Sequence, residues 1–234
     1  MYWQQTDLRD VASLCFFSLQ FVTMSQLFAV PQLFAERPLF LRERAAGVTR
    51  ESSYLLARWA VGFAQQLALS FAFVAILYPM VGMRGADDLA RERAWFVSPH
   101  LLRFWAVMLL LVLAGNAFSS LVAAVAPSQQ AALNVYSTAF QTCMFFSGYS
   151  IPVHQVPVYW RWFTDVSFAR WAFEALLLNE LEGYDAQDDA AEWLEYWGCR
   201  GRSYVRAIGC LALCVLGLHV LAWAAVRYIS FERR

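Results

Sequence analysis

Residues 101–126 read LLRFWAVMLLLVLAGNAFSSLVAAVA, and Arg103 is the one charged residue among them. The hydrocarbon core of a bilayer is about 30 Å thick, and roughly 20 mainly apolar residues cross it as a helix. Lipid offers backbone N–H and C=O groups no hydrogen-bond partner, so a crossing segment of this kind must be helical. The stretch therefore predicts a transmembrane helix.

The rest of the chain has the same character. The composition is 60% hydrophobic and 15% charged, whereas soluble domains carry about 25% charged residues. A net charge of zero argues against a nucleic-acid partner. We predict an all-α polytopic membrane domain with about five spans, which are residues 11–34, 55–81, 101–126, 131–150 and 207–230.

The arginines between and after the spans predict the orientation. Residues 36–60 carry five arginines and three glutamates, and the tail RYISFERR carries three arginines. Arginine-rich short loops stay on the cytoplasmic side of a membrane. Five spans place these two regions on the same side, so both are predicted to be cytoplasmic. The long acidic segment 151–206 is then predicted to be an extracellular loop.

Residues 36–53 are predicted to form an amphipathic helix along the membrane surface. Leu39 and Phe40 give it an apolar face, Glu36 and Glu43 give it a polar one, and Gly47 interrupts it. A strong amphipathic pattern of this kind is typical of interfacial helices. Two interpretations remain open from the residues alone. The segment is either a solvated loop held to anionic lipid by arginines, or a docking helix that a cytoplasmic partner grips and moves.

Two motifs, in this order, resemble the membrane domain of the G subfamily of ATP-binding cassette (ABC) transporters, the white and pleiotropic-drug-resistance type. The first is E-[RK]-x-L-F-x-x-E followed by Gly and S-x-Y, and it is carried by Glu36, Arg37, Leu39, Phe40, Glu43, Gly47, Ser52 and Tyr54. The second is FFSGYSIP (145–152) followed by VYWRWFTDVSFARWAFEALLLNELEG (158–183). The resemblance implies an ABC-2 type domain with short buried helices in its outer loop.

The resemblance also implies a mechanism and partners. The chain would correspond to spans two to six of a six-span domain, and residues 36–53 would be the connecting helix that receives motion from an ATPase. In that helix the implied coupling residues are Glu36, Arg37, Phe40, Glu43 and Gly47. No G-x-x-x-x-G-K-[ST] motif occurs in the sequence. The chain itself is therefore expected to be no enzyme and to hold no cofactor. ATP and Mg²⁺ are expected on an ATP-binding cassette domain that lies upstream or acts in trans.

The implied function is ATP-driven export of lipid-like or amphipathic small molecules by alternating access. The implied partners are a second transmembrane half, as a homodimer or heterodimer, and membrane lipids, and the expected location is the plasma membrane. An alternative is a truncated, non-transporting membrane protein that associates with complete transporters and modulates them. A membrane-bound enzyme is the weakest alternative, because no catalytic constellation is evident.

The resemblance also points to individual side chains. Phe140 and Met144 on the fourth span, and Phe21 and Met24 on the first, fall where the family lines its substrate cavity. Aromatic rings and pliable methionines suit apolar ligands of varied shape. Ordinary helix packing or lipid contact is the competing interpretation for all four. Tyr149 falls where the family narrows its cavity toward the outside, and is predicted to act as a gate.

The remaining polar residues suggest no catalytic or metal site. Glu174, Asn179 and Glu180 interrupt an apolar helix, where Arg161 and Arg170 are the expected partners of the carboxylates. His100, His154 and His219 are isolated in the sequence, so no metal site is expected. Cys199 is the one cysteine in a polar segment, and we predict that it alone reacts with a thiol reagent from outside.

Overall fold

The computed structural model describes residues 5–47, 51–81, 83, 99–181, 193–199 and 201–228. Every regular element within these residues is a helix, which confirms the predicted all-α class. Residues 182–192 of the predicted outer loop and the end of the predicted 207–230 span lie outside them. The helices are α1 (Gln5–Ser25), α2 (Ala29–Ala45), α3 (Glu51–Val81), α4 (Pro99–Val125), α5 (Gln129–Phe145), α6 (Arg161–Val166), α7 (Phe168–Leu181) and α8 (Tyr204–Tyr228). Short 3-10 turns occupy Gln26–Phe28, Val153–Gln155 and Val158–Trp160.

Four helical stretches in the described part of the chain are long and apolar enough to cross a bilayer. They are Arg9–Ala45, Ser52–Val81, Pro99–Val125 and Tyr204–Tyr228. The protein is therefore an integral membrane protein. Helix α5, which lies in the predicted span 131–150, has 17 residues. At 1.5 Å per residue it is about 25 Å long, a little shorter than the hydrocarbon core. Its role as a fifth span stays a prediction.

Helix α4 is the centre of the bundle. It packs against α8, α3, α7 and α1, and its buried residues run along its whole length. At one end of the bundle the Arg37 guanidinium donates to the backbone carbonyl of Ala126, 3.3 Å away. At the opposite end the Tyr204 hydroxyl donates to the carbonyl of Arg103 at 2.9 Å. We call these the near end and the far end. Successive long helices therefore run in alternating directions.

The predicted connecting helix 36–53 has different bounds in the structure. Helix α2 begins at Ala29 and follows the first span through the 3-10 turn Gln26–Phe28, and it ends at Ala45. Gly47 has φ +70°, a left-handed conformation that ends helices and that glycine adopts without a Cβ clash. Residues 51–53 already belong to the second span. The charged segment is thus an extension of the first span, closed by a glycine turn.

The far end is filled by the short helices that the sequence predicted for the outer loop. Helix α7 has 14 residues, and all of them are buried. Ring contacts with Tyr149 and Trp197 cover Phe173 on this helix. Because α7 also packs on α4, α8 and α1, it forms part of the core of the bundle rather than a surface loop.

Candidate coupling helix and membrane groove

A groove with a cavity of about 710 Å³ lies between the α1–α2 stretch and α3, with α4 as its floor. The two walls run antiparallel, and three contacts join them in order. Toward the far end, the rings of Phe21 and Phe73 stack with centroids 5.6 Å apart. In the middle, the Gln66 Nε2 donates to the Gln26 Oε1 at 3.1 Å. At the near end, Glu36 forms an ion pair with an arginine of α3.

The floor of the groove depends on a glycine. A Cβ at Gly115 would lie 2.9 Å from the Cγ of Gln26, closer than real Cβ contacts come. The Ser119 hydroxyl donates to the Gln26 backbone carbonyl at 2.9 Å. The absence of a side chain at 115 therefore lets Gln26 lie buried against α4, from which position its amide reaches Gln66.

The groove presents neutral polar groups and apolar surface. Gln32, Gln65 and Asn116 line it, and the side-chain amides of these three residues make no hydrogen bond to the residues that the structure describes. The two charged side chains in its lining, Glu36 and Arg58, pair with each other. Charge is costly at membrane depth unless it is paired. The groove therefore suits a molecule with an apolar body and uncharged hydrogen-bonding groups, and its volume is in the usual range for ligand pockets.

At the near end of the groove, α2 is fixed to α3 by four side chains that we call the latch: Glu36, Phe40, Tyr54 and Arg58. The Glu36 carboxylate pairs with Arg58 and accepts a hydrogen bond from the Tyr54 hydroxyl at 3.2 Å. The Phe40 and Tyr54 rings lie 4.3 Å apart. Arg37 holds the C-terminal end of α4 through Ala126. Helix α2 is thus tied to two spans at once.

The predicted coupling residues divide into two groups. Glu36, Arg37 and Phe40 make the contacts just described. Glu43, which is half-buried, and Gly47, which is exposed, lie beyond the latch toward the end of the segment. Apart from its immediate neighbours in the chain, no heavy atom of the described residues lies within 4 Å of a Cβ placed on Gly47. The role of these five residues in coupling stays a prediction.

The predicted substrate residues do not share one surface. Phe21 is 66% exposed and lines the groove, and Met24 is partly buried against the core. Phe140 and Met144 are 0% and 2% exposed. Phe140 stacks on Tyr136 with centroids 6.3 Å apart. A substrate could touch Phe140 or Met144 only after the surrounding helices separate, so their binding role stays a prediction that requires a second conformation.

Tyr149, the predicted gate, closes the far end between α1 and α7. Its ring stacks on Phe16 at a centroid distance of 4.5 Å and meets the edge of Phe173 at 5.7 Å. Its hydroxyl lies 2.8 Å from the Ser13 hydroxyl. The side chain therefore occupies space between the first span and the outer helices. Its role as a gate stays a prediction.

The buried charges at the far end pair differently from the expectation. Glu174 accepts from Arg202 at 2.6 Å, and Arg170 pairs with Asp165. Neither Arg161 nor Arg170 is the partner of Glu174, because Arg202 approaches from the segment before α8. The Glu180 carboxylate accepts from the Tyr78 hydroxyl at 3.2 Å. In the described residues no group of His, Cys, Asp and Glu could hold a metal ion.

The prediction for Cys199 is wrong. Its side chain is only 4% exposed, because the 193–199 segment folds onto α7. Burial, followed by the nearby Glu174 carboxylate, raises the pKa of the Cys199 thiol to about 12. A thiol reacts through its thiolate, so this cysteine is shielded both sterically and chemically.

Sequence reasoning missed two residues of the groove, Gln26 and Arg58. Gln26 lies in an apolar span, and the signal for it was available, since amides inside spans usually bond to other helices. Arg58 lies one helical turn after Tyr54, and this spacing could have placed it beside the charged helix. Neither contact could be read from the sequence, because it depends on how α1–α2 and α3 align side by side in the fold.

Comparison with known proteins identifies the relatives of this chain. The sequence profile described as ABC-2 type transporter matches residues 1–181. The chain is 32% identical over 152 residues to ABC transporter G family member 5 of Oryza sativa subsp. japonica, covering 65% of this chain and 18% of that protein. It is 30% identical over 154 residues to G family member 2 of Arabidopsis thaliana, covering 66% and 19%. It is 28% identical over 186 residues to G family member 18 of Arabidopsis thaliana, and the match covers 78% of this chain and 25% of that protein. The chain thus spans between about a fifth and a quarter of the length of these relatives.

Proposed function

Because the chain belongs to the ABC-2 type transporter family and resembles G family members, we propose that it is the membrane-spanning part of an ATP-driven exporter. The ATP-binding cassette domain, with its ATP and Mg²⁺, belongs to another part of the assembled transporter. A second transmembrane half completes the pathway as a homodimer or heterodimer. The proposed location is the plasma membrane.

The latch is the observation that carries this proposal. An ATPase can move a membrane domain only through a rigid element that both parts grip. Helix α2 offers such an element, because Glu36 and Phe40 join it to α3 and Arg37 joins it to the end of α4. A displacement of α2 would therefore move two spans relative to each other. The ion pair in the latch is partly exposed and is worth about 0–1 kcal/mol, so it can break and re-form during a cycle.

The groove above the latch indicates the substrate class. Its neutral amides and the stacked rings of Phe21 and Phe73 fit an uncharged amphipathic molecule. Movement of α2 against α3 would widen or narrow the groove, since the latch closes its near end. Alternating access then exposes the substrate first to the near side and then to the far side, where Tyr149 lies. Phe140 and Met144 would join the pathway when the helices separate.

The test uses the complete transporter, with its ATP-binding domain, reconstituted in vesicles. Glu36→Gln removes the charge of the latch and keeps its shape. Allosteric couplings are typically worth 1–3 kcal/mol, or about 5- to 150-fold. We therefore expect ATP-dependent uptake of a fluorescent long-chain alcohol to fall by about 5-fold or more, at an unchanged amount of protein in the membrane.

Asp10→Asn is the matched control, since Asp10 is an exposed carboxylate at the far end of α1. Its uptake should equal that of the unaltered protein. Normal uptake by Glu36→Gln would refute the coupling role of the latch. The modulator hypothesis makes a different prediction. The assembly that contains this chain would then show no ATP-dependent uptake, and it would inhibit uptake by a second transporter reconstituted in the same vesicles.

A further inference from the structure

An exposed aromatic patch lies at the far end, between α5 and α7. We call it the outer aromatic patch, and it consists of Val158, Tyr159, Trp160, Trp162 and Val166. Tyr159 is 72% exposed and Trp162 is 62% exposed. Contiguous apolar patches of this kind mark sites of contact with proteins or membranes. The transport proposal assigns no task to them.

The depth of the patch follows from helix α5. At the near end, the Ser128 hydroxyl caps the helix by accepting from the Ala131 N–H. The helix then rises about 25 Å over its 17 residues. Phe146 follows directly, and its ring stacks on Trp160 at 5.5 Å and meets Phe163 at 5.3 Å. The patch is therefore about one hydrocarbon thickness away from the near side.

The chemistry of the patch matches a membrane–water boundary. Tryptophan and tyrosine concentrate at the level of the lipid headgroups, where a ring can be partly apolar and partly hydrated. Arg161 lies between the two tryptophans and is exposed, so its guanidinium is available to lipid phosphate. The Asp165 carboxylate is paired with Arg170 on α7.

Hydrogen bonds from α7 also hold the patch in a fixed position. The Trp171 Nε1 donates to the Asp165 carbonyl at 2.8 Å, and Arg170 donates to the Thr164 hydroxyl at 3.3 Å. Both donors lie on α7, which is wholly buried. A force on the patch is therefore transmitted to the core of the bundle rather than absorbed by a loose loop.

We propose that the outer aromatic patch binds the far leaflet at the boundary between headgroups and acyl chains. It inserts Tyr159, Trp160 and Trp162 beside Phe146 and so fixes the depth of α5 and α7 in the bilayer. This binding requires neither ATP nor a substrate. It holds whether or not the chain transports anything.

Spin labelling of the complete protein in phosphatidylcholine nanodiscs tests the proposal. A nitroxide is attached at Trp162→Cys, with the five native cysteines replaced, and its collisions with oxygen and with a water-soluble nickel chelate are compared. Oxygen concentrates in lipid, so we expect oxygen to dominate at position 162. Gln155→Cys is the control, since Gln155 is an exposed polar residue of the same outer region, and nickel should dominate there. Nickel dominance at 162 would overturn the proposal, and so would shielding from both reagents, which would indicate a covering protein such as a second copy.

A second measurement keeps the native cysteines and is therefore independent of any folding defect in the labelled variants. Dibrominated phosphatidylcholine quenches tryptophan fluorescence only at short range. Trp162→Phe should reduce the quenched part of the emission, whereas Trp197→Phe should leave it unchanged, because Trp197 is buried. Equal quenching in the unaltered protein and Trp162→Phe would refute the insertion of this side chain.

Discussion

Helices α2 and α7 both carry charges in a largely apolar chain, yet their surroundings differ completely. In α2, Glu36 is half exposed, and its partner Arg58 on α3 is 20% exposed. In α7, the Glu174 and Arg170 side chains are 3% and 6% exposed, while their partners Arg202 and Asp165 are 24% and 65% exposed. The same kinds of side chain therefore form a partly exposed pair at one end of the bundle, and at the other end pairs in which one member is buried.

This difference indicates which end can move. An exposed ion pair contributes about 0–1 kcal/mol and can be exchanged for water. Removing one partner of a buried pair leaves an uncompensated charge and costs about 3–5 kcal/mol. The near end is thus suited to a cyclic motion of α2, whereas the far end forms a fixed support around α7.

The largest effect is expected at the far end. Arg202→Ala leaves the buried Glu174 carboxylate, whose side chain is 3% exposed, without its partner, so we expect the protein to lose about 3–5 kcal/mol of stability. Thermal unfolding of the purified protein in detergent measures this as a lower melting temperature. Glu36→Ala is the comparison, with an expected loss of about 0–1 kcal/mol. Similar losses for both variants would contradict the division between a fixed and a movable end.

The burial around α7 can be examined without destabilising it. Because the pKa of Cys199 is raised to about 12, its thiolate fraction rises about tenfold per pH unit between pH 7 and 9.5, without the levelling near 8.5 that an ordinary cysteine shows. Labelling with a membrane-impermeant maleimide should follow this slope and stay slow at pH 7.

Ser203→Cys in a Cys199→Ser background is the control, since Ser203 is exposed. It should label rapidly at pH 7. Rapid labelling of Cys199 at pH 7 would mean that the 193–199 segment opens readily from α7.

The smallest effect on stability is expected in α2. Glu43→Ala changes a half-buried residue beyond the latch, and surface substitutions of this kind usually alter stability by no more than about 0.5 kcal/mol. We nevertheless expect substrate-stimulated ATP hydrolysis by the complete transporter to be lost while membrane insertion continues. Unchanged stimulation, with Asp10→Ala as the reference, would remove Glu43 from the coupling residues.

The helical fold was predictable because lipid permits few alternatives. Length and apolarity alone placed helices over 55–81, 101–126 and 207–230, and the structure has α3, α4 and α8 there. The sequence predicted Gly47 as an interruption within a helix over 36–53, whereas in the structure the helix ends just before it. What the sequence could not predict was that α2 continues the first span, because a 3-10 turn at Gln26–Phe28 has no distinct sequence signal.

The sites were less predictable because they depend on contacts between distant residues. Gln26 and Gln66 are 40 positions apart, and Glu174 and Arg202 are 28 apart. An expected neighbour such as Arg170 was chosen by proximity in sequence, while the fold supplied Arg202. The burial of Phe140 was likewise invisible, since a phenylalanine in a span is equally compatible with lipid, ligand or core.

The length of α5 determines how well this helix matches the thickness of different cellular membranes. A helix of about 25 Å is close to the roughly 27 Å hydrocarbon thickness of the endoplasmic reticulum, but it is about 7 Å short of a plasma membrane of roughly 32–33 Å. If α5 is the predicted fifth span, the bilayer around it would have to thin locally after delivery to a plasma membrane. Each trafficking step toward a thicker membrane would then increase the hydrophobic mismatch at this helix. The length of the lipid acyl chains would therefore affect the free energy of the protein in the membrane.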